Sequence, residues 1–231
     1  MAQFNGLKDW MFGYFVKHDD ESKRQRVASA LPSFAKAIQT QLQSFDPFYA
    51  SYDVGTLRPE HDSCWIAFGP ADNKYRNGAH QTVALFAHSL DVFVNVEMVP
   101  AVNKLRQKIK NNRQGFRSAI AGLPVDKRPF SVLIWERRQI QAELYEYRLI
   151  ASLETDHFRS AKSKRHGLQD PQLGSYTFDY IEQLVQKIPY PNITVVRHIN
   201  RDEAVSLGTA LVNQVVGIMQ EFHPLVQFLN Q

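Results

Sequence analysis

The chain has 231 residues, 44% of them hydrophobic and 22% charged, a balance typical of a globular protein. Its formal net charge of +4 favours anionic partners, while its single cysteine, Cys64, excludes an internal disulfide and a cysteine-based metal site. No stretch approaches the roughly 20 consecutive apolar residues that span a bilayer, and the N-terminus lacks the pattern of a signal peptide. We therefore expect a cytoplasmic protein without a membrane span.

The first part of the chain predicts helices. Apolar residues recur at helical spacing over residues 5–16, and a second amphipathic pattern, with an apolar residue at every third or fourth position, ends at Phe45. Pro32 marks either a kink in that second helix or the first turn of its second half. Together the two patterns predict a helical N-terminal arm over about residues 1–45.

The middle of the chain changes to short runs rich in β-branched and aromatic residues, which predict strands. A short link, Ser89–Asp91, joins the second and third runs and favours an antiparallel hairpin. Cys64, beside Trp65 in the first run, is expected to be a buried apolar residue. The runs are SCWIAF (63–68), QTVALFAHS (81–89) and DVFVNVEMV (91–99).

The second half alternates between helical and strand patterns. One helix is predicted from Pro100 to Gly122, and residues 157–175 are predicted to form a polar loop. The last segment, residues 201–229, predicts one long amphipathic helix. The remaining predictions are strands over FSVLIWERR, ELYEYRLIASL and ITVVRHI, and a helix over YTFDYIEQLVQKI.

Runs of strands between blocks of helix predict an α+β fold. We expect a single domain over residues 1–231, with a largely antiparallel or mixed sheet flanked by amphipathic helices. Standard catalytic patterns are absent, because the chain has no phosphate loop, no GxSxG and no HExxH. The sequence therefore predicts no metal site, names no cofactor and leaves open whether the protein is an enzyme.

Basic residues cluster in two segments. Between Glu97 and Asp126 there is no acidic residue, and at 100° per residue several lysines fall on one side of the predicted helix. These side chains form either a solvated helix face or a surface that contacts phosphates. The predicted nucleic-acid surface comprises Lys104, Lys108, Lys110 and Arg113, with Lys162, Lys164 and Arg165 of the polar loop.

The order of several motifs resembles the YktB-like family of uncharacterised bacterial proteins. The motifs are FDPFYA, DSCWIAF, NKYRNGAHQTVALF and VFVNVEM, followed by RHINRDEAVSLG near the C-terminus. The resemblance covers about residues 30–228. It implies a single α+β domain and no particular activity. The polar or aromatic positions that match it are Asp62, Trp65, Lys74, Tyr75, His80, His198 and Arg201.

The leading hypothesis is a binding module for an anionic ligand, either a nucleic acid or a phosphorylated small molecule. A rim of the sheet would hold the ligand, and the basic helix and loop would widen the positive surface. The predicted ligand-binding residues of this rim are Lys74, Tyr75, Arg76, His80, His198 and Arg201.

Two alternatives remain open from the sequence. The first is a hydrolytic enzyme, nuclease-like or phosphoesterase-like, in which a histidine acts as general base beside a carboxylate. Its candidate residues are His80, His198, Asp62 and Glu136. The second is an assembly protein or homo-oligomer, which requires an exposed apolar face on the helix over residues 205–229.

Overall fold

The structure is a computed structural model that describes residues 3–17, 21–56, 63–70, 78–123, 131–141, 144–154, 158–160, 182–183, 185–188 and 191–231. It confirms the predicted α+β class, with helices beside an antiparallel sheet. The chain forms two compact units. The first unit comprises Met1–Tyr75, His80–Phe93 and Arg197–Glu221, and the second comprises Arg76–Ala79, Val94–Val196 and Phe222–Gln231.

The described helices follow the predicted order, with three breaks that the sequence patterns did not indicate. Short 3₁₀ turns at Pro47–Ser51 and Gly208–Ala210 connect some of the elements. The α-helices are α1 (Asp9–Lys17), α2 (Glu21–Phe45), α3 (Val99–Asn111), α4 (Arg113–Ala121), α5 (Arg201–Ser206), α6 (Leu211–Glu221) and α7 (His223–Asn230).

The described strands pair in the order β1-β2-β3-β4-β8-β5-β6-β7. All pairs whose register is described are antiparallel. The strands are β1 (Tyr52–Thr56), β2 (Cys64–Pro70), β3 (His80–Leu85), β4 (Ser89–Val96), β5 (Ser131–Gln141), β6 (Leu144–Glu154), β7 (Phe158–Ser160) and β8 (Pro191–Asn200).

Strands β3 and β4 form the predicted hairpin. The Phe86 N–H donates a hydrogen bond to the Ser89 carbonyl, 2.9 Å away, which closes the turn. The link between the two strands spans residues 86–88, three positions before the predicted link Ser89–Asp91, because β4 already begins at Ser89. Strands β2 and β3 are neighbours as well, with Ile66 opposite Val83. Cys64, at the start of β2, is 1% exposed, which confirms that it is a buried residue.

In the first unit, α2 packs against α6. Phe34 and Ile38 of α2 and Val215 and Met219 of α6 are all buried. Pro32 lies inside the uninterrupted helix α2 on an exposed position, so it neither ends the helix nor begins another. A proline in a helix interior removes one backbone hydrogen bond, and here the packing of the buried stripe maintains the helix across it.

In the second unit, α3 and α4 pack against α7. The predicted single helix from Pro100 to Gly122 is wrong, because the backbone leaves the helical conformation at Asn112. The Asn112 side chain accepts a hydrogen bond from the Gly115 N–H at 2.9 Å and so caps the start of α4. The two helices bury Leu105 and Phe116, which line an apolar cavity.

The predicted long helix over residues 201–229 is also wrong. Gly208 has a φ of +53°, outside the right-handed helical region, and it separates α5 from α6. Pro224 stands in the first turn of α7, where its missing N–H costs no hydrogen bond. Of the predicted loop over residues 157–175, Phe158–Ser160 forms strand β7, and the rest lies outside the described residues.

Candidate functional site

His198 and Asp91 form a hydrogen-bonded pair on two neighbouring strands of the first unit. Strands β4 and β8 are neighbours in the sheet, and Nδ1 of His198 lies 2.9 Å from Oδ1 of Asp91. The side chain of Asp91 is 13% exposed and that of His198 is 54% exposed. A carboxylate on one ring nitrogen holds the ring orientation and supports a positive charge on the imidazole.

Arg201, another predicted ligand residue, begins α5 beside this pair. The Asn200 side chain caps that helix by accepting a hydrogen bond from the Glu203 N–H at 2.8 Å. The Arg201 guanidinium binds both carboxylate oxygens of Asp9, with Nε 2.7 Å from Oδ1 and Nη2 2.5 Å from Oδ2. This hydrogen bonding holds the pKa of Asp9 below its ordinary value. The positive charge of Arg201 is therefore compensated within the protein.

His80 lies apart from His198. It is the first residue of β3 and is only 1% exposed. The hairpin register places Ala84 opposite Asp91, and His80 comes four residues before Ala84, about 13 Å away along the strand. The structure therefore does not bring these two predicted histidines into one site. Trp65, which pairs with Ala84, is half-buried.

Several predicted site residues lie outside the described residues. Glu136 belongs to strand β5, opposite Arg148 of β6, and its side chain is among the parts that are not described. Its role and the roles of the others stay predictions. These others are Asp62, Lys74, Tyr75, Arg76, Lys162, Lys164 and Arg165.

Apart from Val99 and Pro100 in the first turn of α3, the exposed residues of α3 and α4 are cationic or neutral polar. Neither helix contains an Asp or a Glu. Lys104 and Lys110 flank a row of amides on α3, about 120° apart around the helix axis. We call this surface the basic face; it comprises Asn103, Lys104, Gln107, Lys110 and Asn111 of α3 and Arg113, Gln114 and Arg117 of α4.

Lys108, predicted to lie on the same surface, points into the second unit. Its Nζ donates a hydrogen bond to the Phe228 carbonyl at 2.8 Å and lies 5.5 Å from the centre of the Phe228 ring. Burial, and then the nearby Lys104 ammonium, lower the pKa of Lys108. Arg106 also binds within the protein, to the carbonyls of Val185 and Ile188 at 2.9 and 2.5 Å. Both side chains therefore hold α3 in place.

Arg113 stands at the other end of the basic face, at the start of α4. Its Nε lies 2.8 Å from one carboxylate oxygen of Glu182 and 3.1 Å from the other. The side chain of Arg113 is 54% exposed and that of Glu182 is 22% exposed. Arg113 is thus accessible to solvent and paired at the same time.

Sequence reasoning missed Asp91 as the partner of His198, and it missed the amide residues and Glu182. Asp91 alternates with buried valines in β4. This alternation places Asp91 on the opposite face of the strand from the valines, but it does not indicate which residue Asp91 contacts. Among the described residues, no group of three His, Cys, Asp or Glu side chains could hold a metal ion, and no helix is long and apolar enough to cross a membrane.

The chain matches no protein-family model and no curated protein. The resemblance to the YktB-like family therefore stays a prediction.

Proposed function

We propose that this protein is a binding module for an anionic ligand, a nucleic acid or a phosphorylated small molecule, that acts in the cytoplasm and binds at the basic face. One observation carries the proposal. Two consecutive helices expose lysines, arginines and amides, and neither helix contains an Asp or a Glu.

The side chains of the basic face suit phosphate chemistry. Lysine and arginine neutralise phosphates and release their counterions, and asparagine and glutamine donate hydrogen bonds to phosphate oxygens and sugars. Burial lowers the pKa of Lys108 most, and the Lys104 ammonium lowers it further. Lys104 therefore lies near a second positive charge, and an anion bound at Lys104 would relieve the repulsion between the two.

The predicted sheet rim supports the proposal less than the basic face does. Asp9 compensates the charge of Arg201, and Asp91 holds His198. His80 is buried, so a ligand reaches it only if the surrounding side chains move. Binding by Lys74, Tyr75 and Arg76 stays a prediction.

The test compares Lys104→Glu/Lys110→Glu with Lys36→Glu, a control at an exposed position of α2. Fluorescence anisotropy with a labelled single-stranded oligonucleotide, and competition by nucleotides, measure the affinity. We expect the double variant to bind about tenfold more weakly or worse, and the control to bind like the wild type. Equal affinities for all three proteins, or no binding by the wild type, would contradict the proposal.

The His198–Asp91 pair favours a second candidate function, hydrolysis of a phosphate ester with the histidine as general base. In that reaction the imidazole accepts a proton from water through Nε2, the resulting hydroxide attacks phosphorus, and the P–O bond to the leaving group breaks as that oxygen takes up a proton. The observation behind it is the 2.9 Å contact that orients the ring.

Turnover of bis(p-nitrophenyl) phosphate by the wild type, by His198→Gln and by Asp91→Asn tests this second function. We expect His198→Gln to abolish turnover and Asp91→Asn to lower kcat. Equal turnover by the wild type and His198→Gln would rule out the histidine as the base.

The assembly alternative depended on an exposed apolar face at the C-terminus. In the first unit, Val215 and Met219 are fully buried, and in the second unit Val226 and Leu229 are 0% and 6% exposed. The apolar residues named here are thus not exposed, and assembly into a homo-oligomer stays a prediction.

A further inference from the structure

Glu182 forms an ion pair with Arg113, one of the cations of the basic face. Its two carboxylate oxygens lie 2.8 and 3.1 Å from Nε of Arg113, on the exposed side of the second unit. A carboxylate and a phosphate offer a guanidinium the same kind of acceptor, a pair of charged oxygens. The carboxylate of Glu182 therefore stands where an oxygen of an anionic ligand would bind.

We infer that Glu182 is a built-in competitor of the ligand, and that an anion displaces its carboxylate from Arg113 on binding. This inference rests on the proposed function of the basic face, and it adds how binding at that surface is controlled. Arg113 is kept neutralised until an anion of sufficient charge arrives. Anions that carry little charge therefore cannot displace Glu182 from Arg113.

The exposure of the pair makes the exchange feasible. An ion pair at the surface gains little net free energy, because water and salt solvate both partners well. With 54% of its side chain exposed, Arg113 can exchange one anionic partner for another in contact with water, and the displaced Glu182 side chain is itself 22% exposed. At a buried arginine, the displaced carboxylate would be left without a positive partner in a region that excludes water.

The segment that carries Glu182 is held separately. Arg106 of α3 donates hydrogen bonds to the carbonyls of Val185 and Ile188, three and six residues after Glu182. These backbone contacts do not involve the Glu182 carboxylate. The carboxylate can therefore leave Arg113 while the segment stays attached to α3.

The test is a double-mutant cycle of the wild type, Glu182→Gln, Arg113→Gln and the double variant, with the oligonucleotide used above as probe. We expect Glu182→Gln to tighten binding about two- to fivefold, the range for an exposed ion pair. Arg113→Gln should weaken binding. In the Arg113→Gln background, Glu182→Gln should have no further effect, because the competitor no longer has a site to occupy.

Two results would overturn the inference while leaving the proposed function intact. One is an unchanged affinity of Glu182→Gln in a protein that still responds to Lys104→Glu/Lys110→Glu. The other is equal tightening with and without Arg113, which would show a general effect of net charge. Absence of binding by every variant would overturn both the inference and the proposed function. Thermal unfolding of Glu182→Gln checks that the fold is unchanged.

Discussion

Two arginine–glutamate pairs in this protein have the same distance between Nε and Oε2 in different surroundings. Arg197 pairs with Glu221 in the first unit, and Arg113 pairs with Glu182 in the second, each with 2.8 Å between Nε and Oε2. The side chain of Arg197 is 1% exposed, whereas that of Arg113 is 54% exposed. Distance alone therefore does not indicate what an ion pair contributes.

The difference in burial assigns the two pairs different roles. Arg197 lies on β8 and is among the largest fully buried side chains of the protein. Removing one partner there leaves a charge without compensation in a region from which water is excluded. At Arg113, solvent replaces a lost partner. The buried pair is thus structural, and the exposed pair is available for exchange with a ligand.

Replacing the glutamate of each pair with glutamine tests this comparison most directly. We expect Glu221→Gln to lower the free energy of unfolding by about 3 kcal/mol, because the buried guanidinium of Arg197 loses its counter-charge. Glu182→Gln should change it by no more than about 0.5 kcal/mol. Urea denaturation of both variants measures the difference, and equal losses would show that burial does not separate the two pairs.

A pair of glycines extends the comparison from charge to backbone. Gly6 has a φ of +82°, and a Cβ there would lie 2.8 Å from the Cα of Gly208. Gly208, at +53°, would place a Cβ in open space. We expect Gly6→Ala to lower the free energy of unfolding by at least about 2 kcal/mol and Gly208→Ala by about 1 kcal/mol. Both substitutions strain a backbone of positive φ, but only the Cβ at position 6 would also clash with a neighbouring atom. Melting temperatures of the two variants check the order.

Burial also determines the alkaline limit of stability. It raises the pKa of Cys64 to about 12. Because the unfolded thiol ionises at lower pH than the folded one, stability is lost as pH rises from about 9 towards 12. Between pH 8 and 10 the wild type should lose roughly 1–2 kcal/mol more than Cys64→Ala. Urea denaturation at the two pH values measures the free energy of unfolding of both proteins. Equal losses for the wild type and Cys64→Ala would contradict a buried thiol.

The smallest effect is expected at an exposed carboxylate, where the shift has the opposite sign. The hydrogen bond from Arg201 lowers the pKa of Asp9. Its contribution to stability is present above the ordinary Asp pKa and is lost as pH falls through the lower, folded value. Asp9→Asn should therefore narrow the stability difference between neutral and acidic pH slightly. An acid-unfolding curve identical to that of the wild type would mean that the pair contributes nothing.

The sequence predicted those parts of the fold that depend on local periodicity. Alternation and β-branched runs located β2, β3 and β4, and the hairpin of β3 and β4 followed from their short connection. The helix breaks were missed because apolar spacing continues across Asn112 and Gly208. A capping side chain and one positive φ ended the helices there, and neither disturbs the hydrophobic pattern.

The site was harder to predict, because its partners are distant in sequence. His198 was a predicted candidate, but its partner Asp91 lies 107 positions earlier and faces it only through the pairing of β4 and β8. Glu182 is 69 positions from Arg113. The charge of the helical surface could be predicted from composition. Which cations are exposed, such as Lys110, and which are used internally, such as Lys108, depends on how α3 packs.

The dependence of affinity on salt tests the central claim most directly, namely that the basic face binds an anionic ligand. For a single-stranded oligonucleotide, each neutralised phosphate contributes about 0.7 to the slope of log K against log salt concentration. Lys104→Gln/Lys110→Gln should therefore bind with a slope about 1.4 shallower than that of the wild type. The same slope for both proteins, or binding that does not respond to salt, would show that these two lysines do not contact the ligand.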